Sequence, residues 1–174
     1  MEPKKRNIAL TYGLIAGVSM ILFMWILYRG GVELYIGSLA YLGYAILIGL
    51  AAAAALAQKK VNGGYLEFSE ALKTCFTVFV IGLALQTLFT LLLLNVFDTH
   101  FRGQLAVAME QKSEAMFRKM GMPEDQLRQL KDSQTDVNQF SVGRTALGLA
   151  FTYIVHFIIA MLIAALVKKK KTSI

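Results

Sequence analysis

An all-α integral membrane protein, with four transmembrane helices in two antiparallel hairpins and an external helical hairpin between spans three and four, is the fold class this sequence predicts. Three observations carry that expectation: 56% of the 174 residues are hydrophobic and 17% charged, the mean hydropathy is +0.55, and the apolar residues sit in unbroken blocks rather than at helical or strand period. Blocks of that kind need lipid.

A helix crosses about 30 Å of hydrocarbon with about 20 apolar residues. Four segments meet this, 8–28, 34–57, 75–97 and 146–167, and none contains Asp, Glu, Lys, Arg or Pro. Their backbone hydrogen bonds can therefore close within each helix without drawing a charge into lipid. Lys4, Lys5 and Arg6 precede the first block as they would a signal peptide. Its length, and the Tyr28-Arg29-Gly30-Gly31 that follows it, instead predict an uncleaved helix.

Lysine and arginine set the direction, because segments rich in them stay in the cytoplasm. Lys4, Lys5, Arg6, Lys59, Lys60, Lys73 and Lys168 to Lys171 fall on one side, whereas the turn between the first two spans holds only Arg29. Both termini are expected in the cytoplasm and 98–145 on the periplasmic side. The net charge of +7 lies wholly on the cytoplasmic side, which fits a membrane surface and not nucleic acid. Lys168, Lys169, Lys170 and Lys171 are candidate contacts for anionic headgroups, at roughly 1 kcal/mol each.

Between spans two and three, Asn62-Gly63-Gly64 marks a turn. A short helix should begin nearby as an interfacial elbow feeding the third span, with Ser69 as its cap, Tyr65, Leu66 and Phe68 at headgroup depth, and Glu70 pairing with Lys73. The longest connection, 98–145, reads as a helical hairpin. Phe101, Leu105, Met109, Met116, Phe117 and Met120 form its apolar face, Gly121 ends the first helix, and Pro123 opens the second. Leu127, Leu130 and Val137 continue the face weakly. The methionines at 109, 116, 120 and 122 fit packing better than soft-metal binding.

Polar groups inside spans are costly unless they find partners, so they are the first candidates for function. Ser19, Tyr44, Gln86 and His156 fall near mid-depth of spans one to four and form a candidate midplane polar cluster. Gln86 and His156 can exchange a hydrogen bond, read first as interhelical glue and alternatively as a ligand or proton site. Gly13, Gly17 and Gly43 are candidate helix-packing positions. Whether Gly13-x-x-x-Gly17 joins helices within one chain or between chains stays open. No cofactor is expected, and His100, His156 and Cys75 lie at three different depths, so no metal site is expected either. Gly-x-Ser-x-Gly, phosphate-loop and His-Glu-x-x-His patterns are missing from the chain. No broken span or buried midplane charge marks a substrate path.

Asn7-x-x-Leu10-x-Tyr12-Gly13-x-x-x-Gly17, together with Asn62-Gly63-Gly64-Tyr65-Leu66-Glu67-Phe68-Ser69-Glu70-Ala71-Leu72-Lys73, resembles the domain of unknown function 4199 family. The resemblance implies a small bacterial inner-membrane protein with four spans and a longer connection before the last. It brings no activity, substrate or catalytic residue. The expected role is a nonenzymatic scaffold or subunit in the lipid bilayer, packing as a homo-oligomer or with a membrane-protein partner through 101–140. The alternative is a carrier or channel for a small molecule, ion or lipid, built on the polar cluster.

Overall fold

Free of charge and proline over four long stretches, the chain folds into helices and very little else. The computed structural model describes residues 7–127 and 140–169. Four of its helical segments are long and apolar enough to cross a membrane. They are α1 (Ile8–Arg29), the segment Val32–Val61, the segment Phe68–Phe97 and the last helix, Val142–Val167.

The second segment is not one helix. It comprises a short α2 (Val32–Tyr35), a 3-10 turn (Ser38–Tyr41) and α3 (Leu42–Val61). The expectation of an unbroken span over 34–57 is therefore corrected, and with it the expectation that no span is broken. The interruption falls at Ile36 and Gly37, near one end of the bundle rather than at mid-depth. Gly37 is extended there, and a Cβ on it would stand 2.6 Å from the carbonyl oxygen of Glu33. Only glycine lets the chain turn that closely.

The third span begins at Phe68 rather than Cys75, as α4 (Phe68–Leu92) followed by a π-helical turn over Leu93–Phe97. The helix runs straight through the expected elbow, since Glu70 and Lys73 are good helix formers and nothing there breaks the backbone ladder. Its N-cap is Glu67, without a side-chain cap bond, so Ser69 lies in the first turn and is not the cap. Glu70 does not pair with Lys73 but accepts hydrogen bonds from Gln58 Nε2 at 3.0 Å and Asn62 Nδ2 at 2.8 Å. The Asn62-Gly63-Gly64 turn is as expected, with φ of +72° at Gly63 and +92° at Gly64.

After Asp98 comes α5 (Thr99–Lys119), which ends as predicted at Gly121, φ +79°. Pro123 offers its carbonyl to Gln126 and Leu127 as the next helix starts. Leu130 and Val137 lie outside the described residues. The fourth span is α6 (Val142–Val167), capped by Ser141 Oγ at the amide of Arg144.

Packing places α4 at the centre, against α1, α3 and α6. Gly13 lies against Ile81 and Gly17 against Leu85, so α1 and α4 run parallel in constant register. Within this chain, the Gly-x-x-x-Gly pattern thus joins two spans that are not neighbours in sequence. Gly43 does similar work between α3 and α1, facing Met20 and Phe23. The core is rich in small side chains, Ala16, Ala51, Ala54, Ala55, Ala160 and Ala164, all with no exposed area, wedged around Phe79 and Val78. Outward faces are apolar instead of polar. Phe151 is 69% exposed, Leu147 74% and Leu166 86%, an exterior that belongs in hydrocarbon.

Candidate interhelical cleft

Two ends can be told apart by what closes them. At the basic end, the chain after α6 pairs with the turn before α4: Leu66 and Lys169 exchange backbone bonds of 2.9 and 2.8 Å. Leu66 is therefore buried within the protein. Lys59 Nζ donates to the carbonyl of Val167 at 2.7 Å, capping α6. Lys168 lies over the Phe68 ring at 5.9 Å and Lys169 over Tyr65 at 5.8 Å. Both are exposed and free to meet lipid headgroups, while Lys170 and Lys171 lie outside the described residues.

At the hairpin end, Asp98 is the organising residue. Its Oδ1 accepts the amide of Phe101 at 2.7 Å, capping α5, and its Oδ2 accepts the Tyr28 hydroxyl at 2.8 Å. These two bonds, in that order, hold its carboxyl below the usual carboxylate range. Phe101 and Leu105 then dock on Leu27, Tyr35 and Leu94. The predicted apolar face is buried only over this first stretch. Met109, Met116 and Met120 stay exposed, at 40%, 53% and 74%, and Met109 and Met116 face the 3-10 turn across an open groove.

Between these ends, α3 and α6 leave a half-enclosed cleft of about 390 Å³. Its polar lining is Tyr44, Gln86, Thr87, Thr145 and Thr152, and its apolar floor includes Met20, Met24 and Leu83. None of the lining side chains is charged. Thr152 Oγ1 donates to Gly148 at 2.8 Å. Tyr44, Gln86, Thr87 and Thr145 make no side-chain hydrogen bond among the described residues, so their donors are open to the cleft.

His156 lies one turn beyond Thr152 on α6, 2% exposed. Its ring stacks on Tyr44 at 5.9 Å and meets Phe79 edge-on at 5.0 Å. The predicted bond to Gln86 does not form. Nδ1 lies 2.8 Å from the carbonyl of Thr152 in its own helix and donates to it, while Nε2 is buried without a partner among the described residues. A carbonyl four residues back is always within reach of a helical side chain, so the local bond forms without rearranging two helices.

Of the four midplane candidates, Tyr44 and Gln86 line the cleft, His156 is stacked beneath Tyr44, and Ser19 is half-buried on α1 outside the lining. The threonines were missed. Thr145, Gly148, Thr152 and His156 recur at spacings of three and four, one face of a helix, and that periodicity was the available signal. No cluster of three or more His, Cys, Asp or Glu occurs among the described residues.

A family model described as Protein of unknown function (DUF4199) matches residues 11–169, which takes in the cleft and all four spans except the first three residues of α1. The chain belongs to the DUF4199 family. No curated protein and no solved structure matches it. In this DUF4199 protein the matched region includes Gly13, Gly17 and the Leu66–Lys169 bridge, so the family's extent coincides with the packed bundle and its closure.

Proposed function

We propose that this protein is a nonenzymatic scaffold or subunit of the bacterial inner membrane, with both termini cytoplasmic, 98–145 periplasmic, and α5 presented to a second copy or a membrane-protein partner. The observation that carries this reading is the contrast between a closed interior and an open α5. Below His156, among the described residues, the bundle is filled by side chains without exposed area, Ala51, Ala54, Ala55, Cys75 and Val78. On α5 and at its C-cap, Val107, Met109, Met116 and Met120 are exposed apolar groups. Exposed methionine and aliphatic side chains are the material of adaptable protein contacts.

Photo-crosslinking from positions 109 and 116 in native membranes tests it. One discrete adduct is the expected result, and the partner it identifies should no longer co-purify when residues 101–140 are deleted. A protein that stays monomeric, with every associated protein unchanged by the deletion, ends the reading.

A carrier of small molecules is the second reading, supported by the cleft and by the unpartnered Nε2 of His156. Flux into reconstituted vesicles that vanishes in a His156→Ala, Gln86→Ala double variant would promote it over the first.

A further inference from the structure

Neutral donors, free of protein partners and gathered in a half-enclosed cleft at membrane depth, call for a ligand that brings acceptor oxygens without charge. Tyr44, Gln86, Thr87 and Thr145 supply such donors. Leaving them unpaired against hydrocarbon costs free energy at each group, and a molecule carrying carbonyl oxygens removes that cost. Met20, Met24 and Leu83 give the same cleft an apolar floor suited to an acyl chain.

The cleft does not stand alone. Ala40 and Tyr44 are shared with a second groove of about 720 Å³, between the 3-10 turn and α5, whose lining includes Lys112, Lys119 and Ser113. Lys112 donates one proton to the carbonyl of Ile36 and is thereby anchored at that groove. Moving from the cleft past Tyr44 toward α5, the surroundings therefore change from a neutral mixture of apolar and hydrogen-bonding side chains to a groove that carries two lysines. The acyl and ester parts of a lipid match the first, and its phosphate matches the second.

We propose that the two cavities together bind one glycerophospholipid, its ester carbonyls held by Gln86, Thr87 and Thr145 and its phosphate set between Lys112 and Lys119, with Tyr44 at the junction. The site is distinct from the lysines at the basic end. Met109 and Met116, which the scaffold reading presents to a partner, also line the second groove, and lipid retention and crosslinking read the two proposals separately.

Gly148 supplies the decisive variant. It lines the cleft, and a Cβ built on it meets nothing within 4 Å, so Gly148→Leu fills the cleft without pushing helices apart. The full chain would be purified in detergent, delipidated, supplied with phosphatidylglycerol, and weighed by native mass spectrometry. One retained lipid per chain is expected in the parent protein. Gly148→Leu should lose it with thermal stability intact, and Gln86→Leu with Thr145→Val should lose it as well. Replacing Lys112 and Lys119 by glutamine should weaken retention about fivefold per lysine, the effect of a single lysine near an anionic lipid.

Unchanged retention in Gly148→Leu would overturn the site. Loss in Gly148→Leu with full retention in the lysine variants, and equal uptake of diacylglycerol, would overturn the phosphate assignment and leave a neutral ester lipid as the occupant.

Discussion

The half of the bundle toward the basic end and the half toward α5 use the same four helices and reach opposite outcomes. In the first, Ala51, Ala54, Ala55, Ala160 and Ala164 let helices close on Phe79 without a gap. A backbone bridge between Leu66 and Lys169 then seals the end. In the second, the 3-10 turn diverts the chain into α3, polar side chains replace alanines, and α3 and α6 enclose a cleft rather than a seam. Lipid offers no hydrophobic drive between helices, so side-chain size decides where they meet. Small residues make contact; bulky or polar ones make space.

The same substitution placed in each half separates the two most sharply. Gly17→Leu puts a side chain against Leu85, whose Cβ would lie 2.9 Å from the new Cβ, and should cost about 3 kcal/mol in detergent-titrated unfolding. Leu85→Ala should restore part of the loss. If Gly17→Leu were neutral, the account of the closed half would be wrong. A smaller effect is expected from Lys59→Met, which removes the 2.7 Å bond to Val167. A loss of about 1 kcal/mol, with faster amide exchange at the end of α6, would show that the basic end is tied and not merely adjacent.

Asp98 gives the corresponding probe of the other end. Its folded carboxyl titrates below the unfolded value, so the contribution of this group is complete above the ordinary carboxylate range. It is lost as pH falls through the lowered value. Amide exchange in the first turn of α5 should therefore quicken below about pH 4 in the parent protein. It should be raised at neutral pH, with that acid step absent, in Asp98→Asn. A parent profile flat to low pH would remove Asp98 from its docking role. Least of all should come from Gly148→Leu, whose stability is expected at or slightly above the parent because leucine is the better helix former; a large loss there would mean that the cleft is closed in the folded protein.

Much of this could be read directly. Four charge-free blocks became four membrane-length segments, and Gly121 and the Asn62-Gly63-Gly64 turn did what glycine and asparagine do in turns. Gly13 and Gly17 announced a close contact without naming its partner, since the facing residues, Ile81 and Leu85, are ordinary aliphatics. The helix start near Ser69 was read to within two residues, but its unbroken run into the third span was not, because Glu70 and Lys73 suit a surface elbow as well as a continuous helix. Asp98 passed unnoticed because its value lies in reaching Tyr28, seventy positions away.

Hydropathy and the absence of charge are properties of each segment alone, so the sequence by itself determined that there would be four apolar helices and where most of them end. Only the tertiary structure decided that α1 packs in parallel on α4, that His156 bonds within its own helix, and that Tyr44 and Gln86 share a cleft with three threonines. Those outcomes depend on the rotation and spacing of whole helices. Rotation is set by the summed fit of many small contacts, and no single stretch of sequence encodes that sum.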